Sequence, residues 1–172
     1  MKLTTKQLTL CAVLTAMALA LSYLENFFPL SLAIPVPGIK LGLANIVTVF
    51  ALYALGPAQA MMILVARSFL GAVFAGNMNA LIFSALGGVT AMLVMILLSR
   101  FGKLSIYGVS IGGAAAHNCG QVAAAILTLG NSAPLYYLPI LLGVSLFTGT
   151  LTGVIAASLF RALEHTDLMK GA

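Results

Sequence analysis

Residues 80–99 read ALIFSALGGVTAMLVMILLS and contain no charged side chain. At 1.5 Å per residue, a helix over these positions would be about 30 Å long, which is the thickness of the hydrocarbon core of a bilayer. The run does not alternate polar with apolar residues, as a half-buried strand would. This stretch therefore predicts a transmembrane α-helix.

The rest of the chain has the same character. Of its 172 residues, 62% are hydrophobic and 6% are charged, and the mean hydropathy is +1.14. A soluble domain carries about 25% charged residues, so this composition predicts a surface that faces lipid. No polar linker divides the chain, and we expect a single transmembrane domain over residues 1–172. The expected fold class is all-α, an integral membrane bundle of about six transmembrane helices. The predicted spans are 8–25, 39–55, 58–75, 80–99, 107–129 and 135–161.

The basic residues predict the orientation of the bundle. Cytoplasmic loops of membrane proteins carry an excess of lysine and arginine. With the N-terminus in the cytoplasm, most basic residues fall on the cytoplasmic side: Lys2, Lys6, Arg100, Lys103, Arg161 and Lys170. We therefore expect both termini in the cytoplasm. Because these residues are scattered, the net charge of +5 does not indicate nucleic-acid binding.

Motifs for enzyme chemistry are absent from the sequence. There is no phosphate loop of the G-x-x-x-x-G-K-[ST] type. Asp167 is the sole aspartate, so no aspartate-rich pair could hold magnesium for diphosphate chemistry. We expect a protein that is not an enzyme and that has no cofactor and no metal. Cys11 and Cys119 fall within apolar spans and are expected to be free thiols.

Arg67 is the first candidate for a functional residue, because it falls near the middle of a predicted span. An arginine at the centre of a bilayer costs at least about 2.5 kcal/mol, so it should face the bundle interior and find a partner there. Glu25, at the outer end of the first helix, is the nearest acidic candidate. The sequence leaves two interpretations open, a structural pair with Glu25 or contact with an anionic ligand.

Polar residues of the fifth span form a second group. His117 and Gln121 are one helical turn apart and Asn118 lies between them, so we expect all three to project toward one side and form a polar pocket. Asn45, in the first turns of the second predicted span, and Lys40, just before it, complete the set. Lys40 has a second interpretation, in which it extends to the lipid headgroups. These groups are biased toward the outer half of the bundle, as in a site that is loaded from outside.

Small residues recur every four positions in three of the spans. Such a spacing keeps them near one face and lets another backbone approach closely. In the fifth and sixth spans the expected role is packing within the bundle. In the first span, Ala12, Ala16 and Ala20 serve either that packing or the docking of another protein.

Several stretches resemble the bacterial Gx transporter family, also labelled heptaprenyl diphosphate synthase component I. They are KLGLAN at 40–45, FALY at 50–53, RSFLG at 67–71, SALGG at 84–88 and GAAAHNCGQ at 113–121. The resemblance extends from about residue 8 to about residue 160. It is specific for the family and does not identify a substrate.

That family is in turn similar to the substrate-binding subunits (S components) of energy-coupling factor transporters. The similarity implies a six-helix protein of the bacterial plasma membrane that binds a vitamin-like micronutrient in its outer half. It also implies partners, namely a transmembrane coupling subunit and two cytoplasmic ATPases. The alanine motif by which such subunits dock is matched here by Ala12, Ala16 and Ala20. The implied substrate-binding residues are Lys40, Asn45, Arg67, His117, Asn118 and Gln121, with an anionic or strongly polar ligand.

Two other functions stay open at this point. The family label taken literally implies a non-catalytic membrane subunit of a prenyl diphosphate synthase. Alternatively, the chain is a membrane scaffold without a ligand site, and its polar residues only hold helices together.

Overall fold

The computed structural model describes residues 4–27, 42–102 and 104–163, and all the regular structure in these ranges is helical. Two 3-10 turns, Glu25–Phe27 and Ala133–Tyr137, accompany the α-helices. The six α-helices are α1 Thr5–Leu24, α2 Asn45–Ala54, α3 Pro57–Ala75, α4 Met78–Arg100, α5 Ile106–Leu129 and α6 Leu138–Leu163. The predicted all-α class is therefore confirmed, and the described ranges contain six α-helices.

The ends of the helices follow the capping residues in the sequence. Thr4 and Gln7 form a capping box at the start of α1. Pro57 opens α3 at a position where its missing N–H costs nothing. Gly76 ends α3 in the left-handed conformation, and the Asn77 side chain then accepts hydrogen bonds from the first backbone N–H groups of α4. This chemistry explains why the predicted breaks between these helices are nearly right.

The second predicted span is the main correction to the fold. The prediction was a transmembrane helix over 39–55, but α2 begins at Asn45 and has 10 residues. At 1.5 Å per residue it is about 15 Å long, too short to cross a bilayer alone. The physical reason lies just before it, since Gly42 has a φ of 84°, a left-handed conformation that a continuous helix does not contain. Lys2, Lys40, Lys103 and Lys170 lie outside the described residues.

The outer surface is apolar and the interior contains polar groups. Large apolar side chains such as Leu127 and Phe147 are more than two-thirds exposed. Buried polar residues include Asn45, Arg67, His117 and Gln121. Within the described residues, four segments are long and apolar enough to cross a membrane, namely α1, α3, α4 and Ala133–Leu163, which includes α6. Exposed apolar side chains suit a lipid environment, which cannot hydrogen-bond to polar groups.

Glycines allow α4, α5 and α6 to pack closely, as predicted for the small residues of the fifth and sixth spans. A Cβ atom at Gly120 on α5 would lie 2.8 Å from the Cα of Gly87 on α4. A Cβ at Gly149 on α6 would lie 2.5 Å from the Cα of Ile111 on α5. The Thr90 hydroxyl adds a bond between helices by donating to the Ala116 carbonyl at 3.1 Å. Close backbone contact of this kind is typical of helices packed within a membrane.

Candidate ligand-binding cavity

A cavity of about 700 Å³ lies at the end of the bundle where α1, α3 and α5 end and where α2 and α4 begin. Among the described residues, its polar lining consists of Ser22, Tyr23, Glu25, Asn45, Arg67, Ser68, Asn77, Asn79, Ser84, His117, Gln121 and Thr128. Aromatic side chains of Phe74 and Phe83 contribute apolar surface. The volume falls within the range of about 300–1,000 Å³ that small-molecule sites occupy.

Four of the residues predicted to bind substrate line this cavity. Asn45 comes from α2, Arg67 from α3, and His117 and Gln121 from α5. They are separated by up to 76 positions in the sequence, so the bundle is what brings them together. Lys40, also predicted for this site, lies outside the described residues.

Asn118 does not line the cavity. Its side-chain amide donates to the Leu141 carbonyl at 2.9 Å and to the Ser145 hydroxyl at 2.8 Å, and both acceptors belong to α6. The prediction that Asn118 projects to the same side as His117 and Gln121 is therefore wrong. Successive residues of an α-helix are about 100° apart, which turns Asn118 away from His117 and toward α6, while Gln121 returns to the His117 face one turn later.

Arg67 is buried in the wall of the cavity, with 6% of its surface exposed. Its Nε and Nη2 atoms have no hydrogen-bond partner among the described residues. Glu25 lines the same cavity and its carboxylate interacts favourably with the Arg67 charge. Glu25 therefore interacts with Arg67, as expected from the sequence. This interaction still leaves two donors of the guanidinium without a hydrogen bond.

Glu25 also shapes the start of α2. The backbone N–H of Gly42 donates to Glu25 Oε1, and the Gly42 carbonyl accepts from the N–H of Asn45 at 2.8 Å. The φ of Gly42 favours glycine, and a Cβ there would lie 2.9 Å from Asn45 Nδ2 and so displace the Asn45 amide. The preceding residue, Ala44, supplies no side-chain cap. The N-terminus of α2 therefore lies in the cavity wall with Asn45 held against it.

His117 and Gln121 pack against α4 at Gly87. A Cβ at Gly87 would lie 2.9 Å from His117 Cε1 and 3.0 Å from Gln121 Cγ. The imidazole faces the Gly87 backbone, but Nδ1 makes no hydrogen bond of normal geometry with any described residue. The two polar side chains that line the cavity therefore rest on the Gly87 backbone.

Sequence reasoning missed several residues of this site. The hydroxyls of Ser68 and Ser84 are 3.0 Å apart and join α3 to α4 at the cavity. Both serines interrupt apolar runs, and this was the signal available in the sequence. No such signal marked Gly42 and Gly87. These glycines matter because side chains of the site lie close to them, and those contacts arise only in the folded chain.

The alanines predicted for docking do not line the cavity. Ala12, Ala16 and Ala20 are all exposed, while the buried face of α1 consists of Cys11, Leu14 and Ala18. The stripe therefore faces outward and is not used for packing within the described bundle. Beside it, the exposed side chains of Val13 and Met17 border an apolar groove of about 140 Å³ between α1, α2 and α6.

The apolar exterior, the polar interior and the cavity define a multi-pass helical membrane protein with a candidate small-molecule site. A family model described as heptaprenyl diphosphate synthase component I matches residues 14–159. The chain belongs to this family, as the resemblance in the sequence predicted. Comparison with curated proteins and with solved structures gives no match.

Proposed function

We propose that this chain is the substrate-binding membrane subunit of an energy-coupling factor importer for a vitamin-like micronutrient. The observation that carries the proposal concerns the five buried side-chain polar atoms without hydrogen-bond partners among the described residues. Four of them belong to side chains that line the cavity, namely Asn45 Oδ1, Arg67 Nε and Nη2, and His117 Nδ1, and the fifth is Ser110 Oγ. Such atoms are rare in proteins, and a ligand in the cavity would supply partners for these four.

The free energy of these atoms supports a binding site over a scaffold. Each unsatisfied buried polar group destabilises a protein by about 1–3 kcal/mol. A chain whose polar residues only held helices together would have no reason to keep this cost, and Asn118 shows the satisfied alternative in the same helix. A ligand that bonded to Asn45, Arg67 and His117 after small side-chain movements would offset the cost and gain affinity from it.

In this proposal the N- and C-termini lie in the cytoplasm of a bacterial cell and the cavity end of the bundle faces outward. Substrate then enters from outside, with Lys40 near the mouth of the site. The exposed face of α1, with Ala12, Ala16 and Ala20, docks on a coupling subunit whose two ATPases drive release. A division of labour of this kind suits a chain whose sequence has no phosphate loop.

The family label favours a second candidate function. In that reading the chain is a non-catalytic membrane subunit associated with heptaprenyl diphosphate synthesis. The apolar groove beside α1 would then be the feature of interest, since the cavity lined by Asn45, Arg67 and His117 offers polar atoms that a hydrocarbon chain cannot use.

Purification of the tagged chain from its native membrane separates the two candidates. We expect mass spectrometry of the co-purifying proteins to identify a membrane coupling subunit together with paired ATPases. Recovery of a soluble prenyl diphosphate synthase without ATPases would contradict the transporter proposal and support the second candidate. Recovery of neither, from membranes that contain ATPase modules, would also contradict the proposal.

A further inference from the structure

We infer that the ligand of this cavity carries a single carboxylate, which binds Arg67 beside the N-terminus of α2. The inference rests on the proposed function only in requiring that the cavity holds a small molecule. It names the chemical class of that molecule, which neither the family match nor the fold supplies.

The unused atoms of Arg67 match a carboxylate in geometry. Nε and Nη2 lie on the same edge of the planar guanidinium, and their N–H bonds are nearly parallel. Two such donors bind the two oxygens of a carboxylate in a bidentate pair, which is stronger and more directional than a single bond. Both atoms lack a partner within the described ranges 4–27, 42–102 and 104–163.

The start of α2 favours an anion at the same place. This 10-residue helix begins at Asn45 in the cavity wall, and the residue before it, Ala44, has no side chain that could cap the first N–H groups. The Asn45 and Ile46 N–H groups already donate to the Gly42 and Leu43 carbonyls, so α2 contributes the partial positive charge of its N-terminus, which favours a negative ligand atom nearby. This effect is independent of the two Arg67 donors that lack a hydrogen bond, and both act in the same cavity.

The charge balance favours a monoanion over a phosphate. Among the described lining residues, Arg67 is the one basic side chain and Glu25 the one acidic side chain, so their charges cancel. A carboxylate adds one negative charge to this low-dielectric site, whereas a phosphate adds up to two. Because burial of uncompensated charge is costly, the doubly charged ligand is the less favourable one.

The rest of the cavity sets limits on the remainder of the ligand. Asn45 Oδ1 is a buried acceptor without a described partner, so the ligand should also offer an N–H or O–H donor to it. Phe74 and Phe83 line the cavity and suit an apolar or aromatic body. The expected molecule is therefore a small acid with an apolar body and one further hydrogen-bond donor.

The test uses the small-molecule fraction of a bacterial extract as its probe. One portion is left untreated, one is treated with carbodiimide and methylamine to convert carboxylates to amides, and one is treated with phosphatase. The full-length chain in detergent, wild type and Arg67→Gln, is incubated with each portion, and captured compounds are identified by mass spectrometry. Arg161→Gln is the matched control, since Arg161 is an exposed arginine at the other end of the bundle.

We expect wild type and Arg161→Gln to capture a compound with a carboxylate from the untreated and phosphatase-treated portions. Capture should fall at least tenfold after amidation and at least tenfold in Arg67→Gln. The comparison of untreated with amidated extract uses wild-type protein alone. It therefore tests the carboxylate class even if Arg67→Gln fails to fold.

Four results would overturn the inference. A captured compound without a carboxylate, or one that survives amidation, contradicts the carboxylate class while leaving the ligand site intact. A compound lost on phosphatase treatment assigns the site to phosphates instead. If wild type captures nothing from any portion, the proposed substrate-binding function fails together with the inference.

Discussion

Gly87 lies behind two side chains of the cavity wall, and its lack of a side chain makes room for them. A Cβ at this position would lie 2.9 Å from His117 Cε1 and 3.0 Å from Gln121 Cγ. Both neighbours are side-chain atoms rather than backbone, so an added methyl group would displace these side chains instead of separating α4 from α5.

Gly87→Ala should therefore impair binding more than it impairs folding. We expect a loss of about 1–3 kcal/mol in the free energy of unfolding from overpacking, together with at least tenfold weaker ligand capture. Gly143→Ala is the control, because Gly143 lies in α6 with nothing within 4 Å of its added Cβ. Melting in detergent should show that variant unchanged or slightly more stable. Equal effects of the two substitutions would contradict the role assigned to Gly87.

Asn118 and His117 are neighbours in sequence that have different roles in the structure. Asn118→Ala removes two hydrogen bonds to α6 and leaves the Leu141 carbonyl and the Ser145 hydroxyl with fewer partners. We expect a lower melting temperature, from a loss of about 1–3 kcal/mol, and unchanged ligand capture. His117→Ala should instead abolish capture. If Asn118→Ala lost capture without losing stability, the original prediction of a pocket role would be right after all.

At the level of elements, the sequence predicted most helices because their boundaries depend on local chemistry. The predicted span 58–75 agrees closely with α3 at Pro57–Ala75, where proline and glycine mark both ends. The second span was wrong because residues 39–44, apart from Lys40, are apolar enough to extend the helix, while the φ of Gly42 and its bond to Glu25 depend on the folded chain. Likewise, the burial of Arg67 and His117 could be predicted because polar side chains within a membrane span face the bundle interior. The direction of the Asn118 side chain depended on which helix packs against that side of α5.

The exposed face of α1 is the element for which the proposal makes its own prediction. Ala16→Leu should leave the fold intact, since Ala16 is exposed, and should reduce recovery of the coupling subunit at least tenfold because a bulky side chain prevents close helix contact. Ala123→Leu on α5 is the matched control, as Ala123 is also an exposed alanine of a helix. Recovery is measured by quantitative mass spectrometry of the co-purifying proteins. Normal recovery with Ala16→Leu would remove α1 as the docking surface.

At the scale of the whole molecule, the bundle divides into a densely packed part and an open part. Close backbone contacts at Gly120 and Gly149 hold α4, α5 and α6 together. The cavity lies at one end of the bundle and the alanine stripe on the outer face of α1, so binding and docking use different surfaces. Composition predicts the lipid-facing exterior, but the convergence of Asn45, Arg67 and His117 on one cavity follows only from the packing of three helices, α2, α3 and α5.

The most direct test of the central claim is native mass spectrometry of the full-length chain, incubated with the small-molecule fraction of a bacterial extract. We predict one bound small molecule per chain for wild type and for Asn118→Ala, and none for His117→Ala. That result would place the ligand in the cavity lined by Asn45, Arg67, His117 and Gln121. Equal occupancy in all three proteins, or none in wild type, would contradict the account.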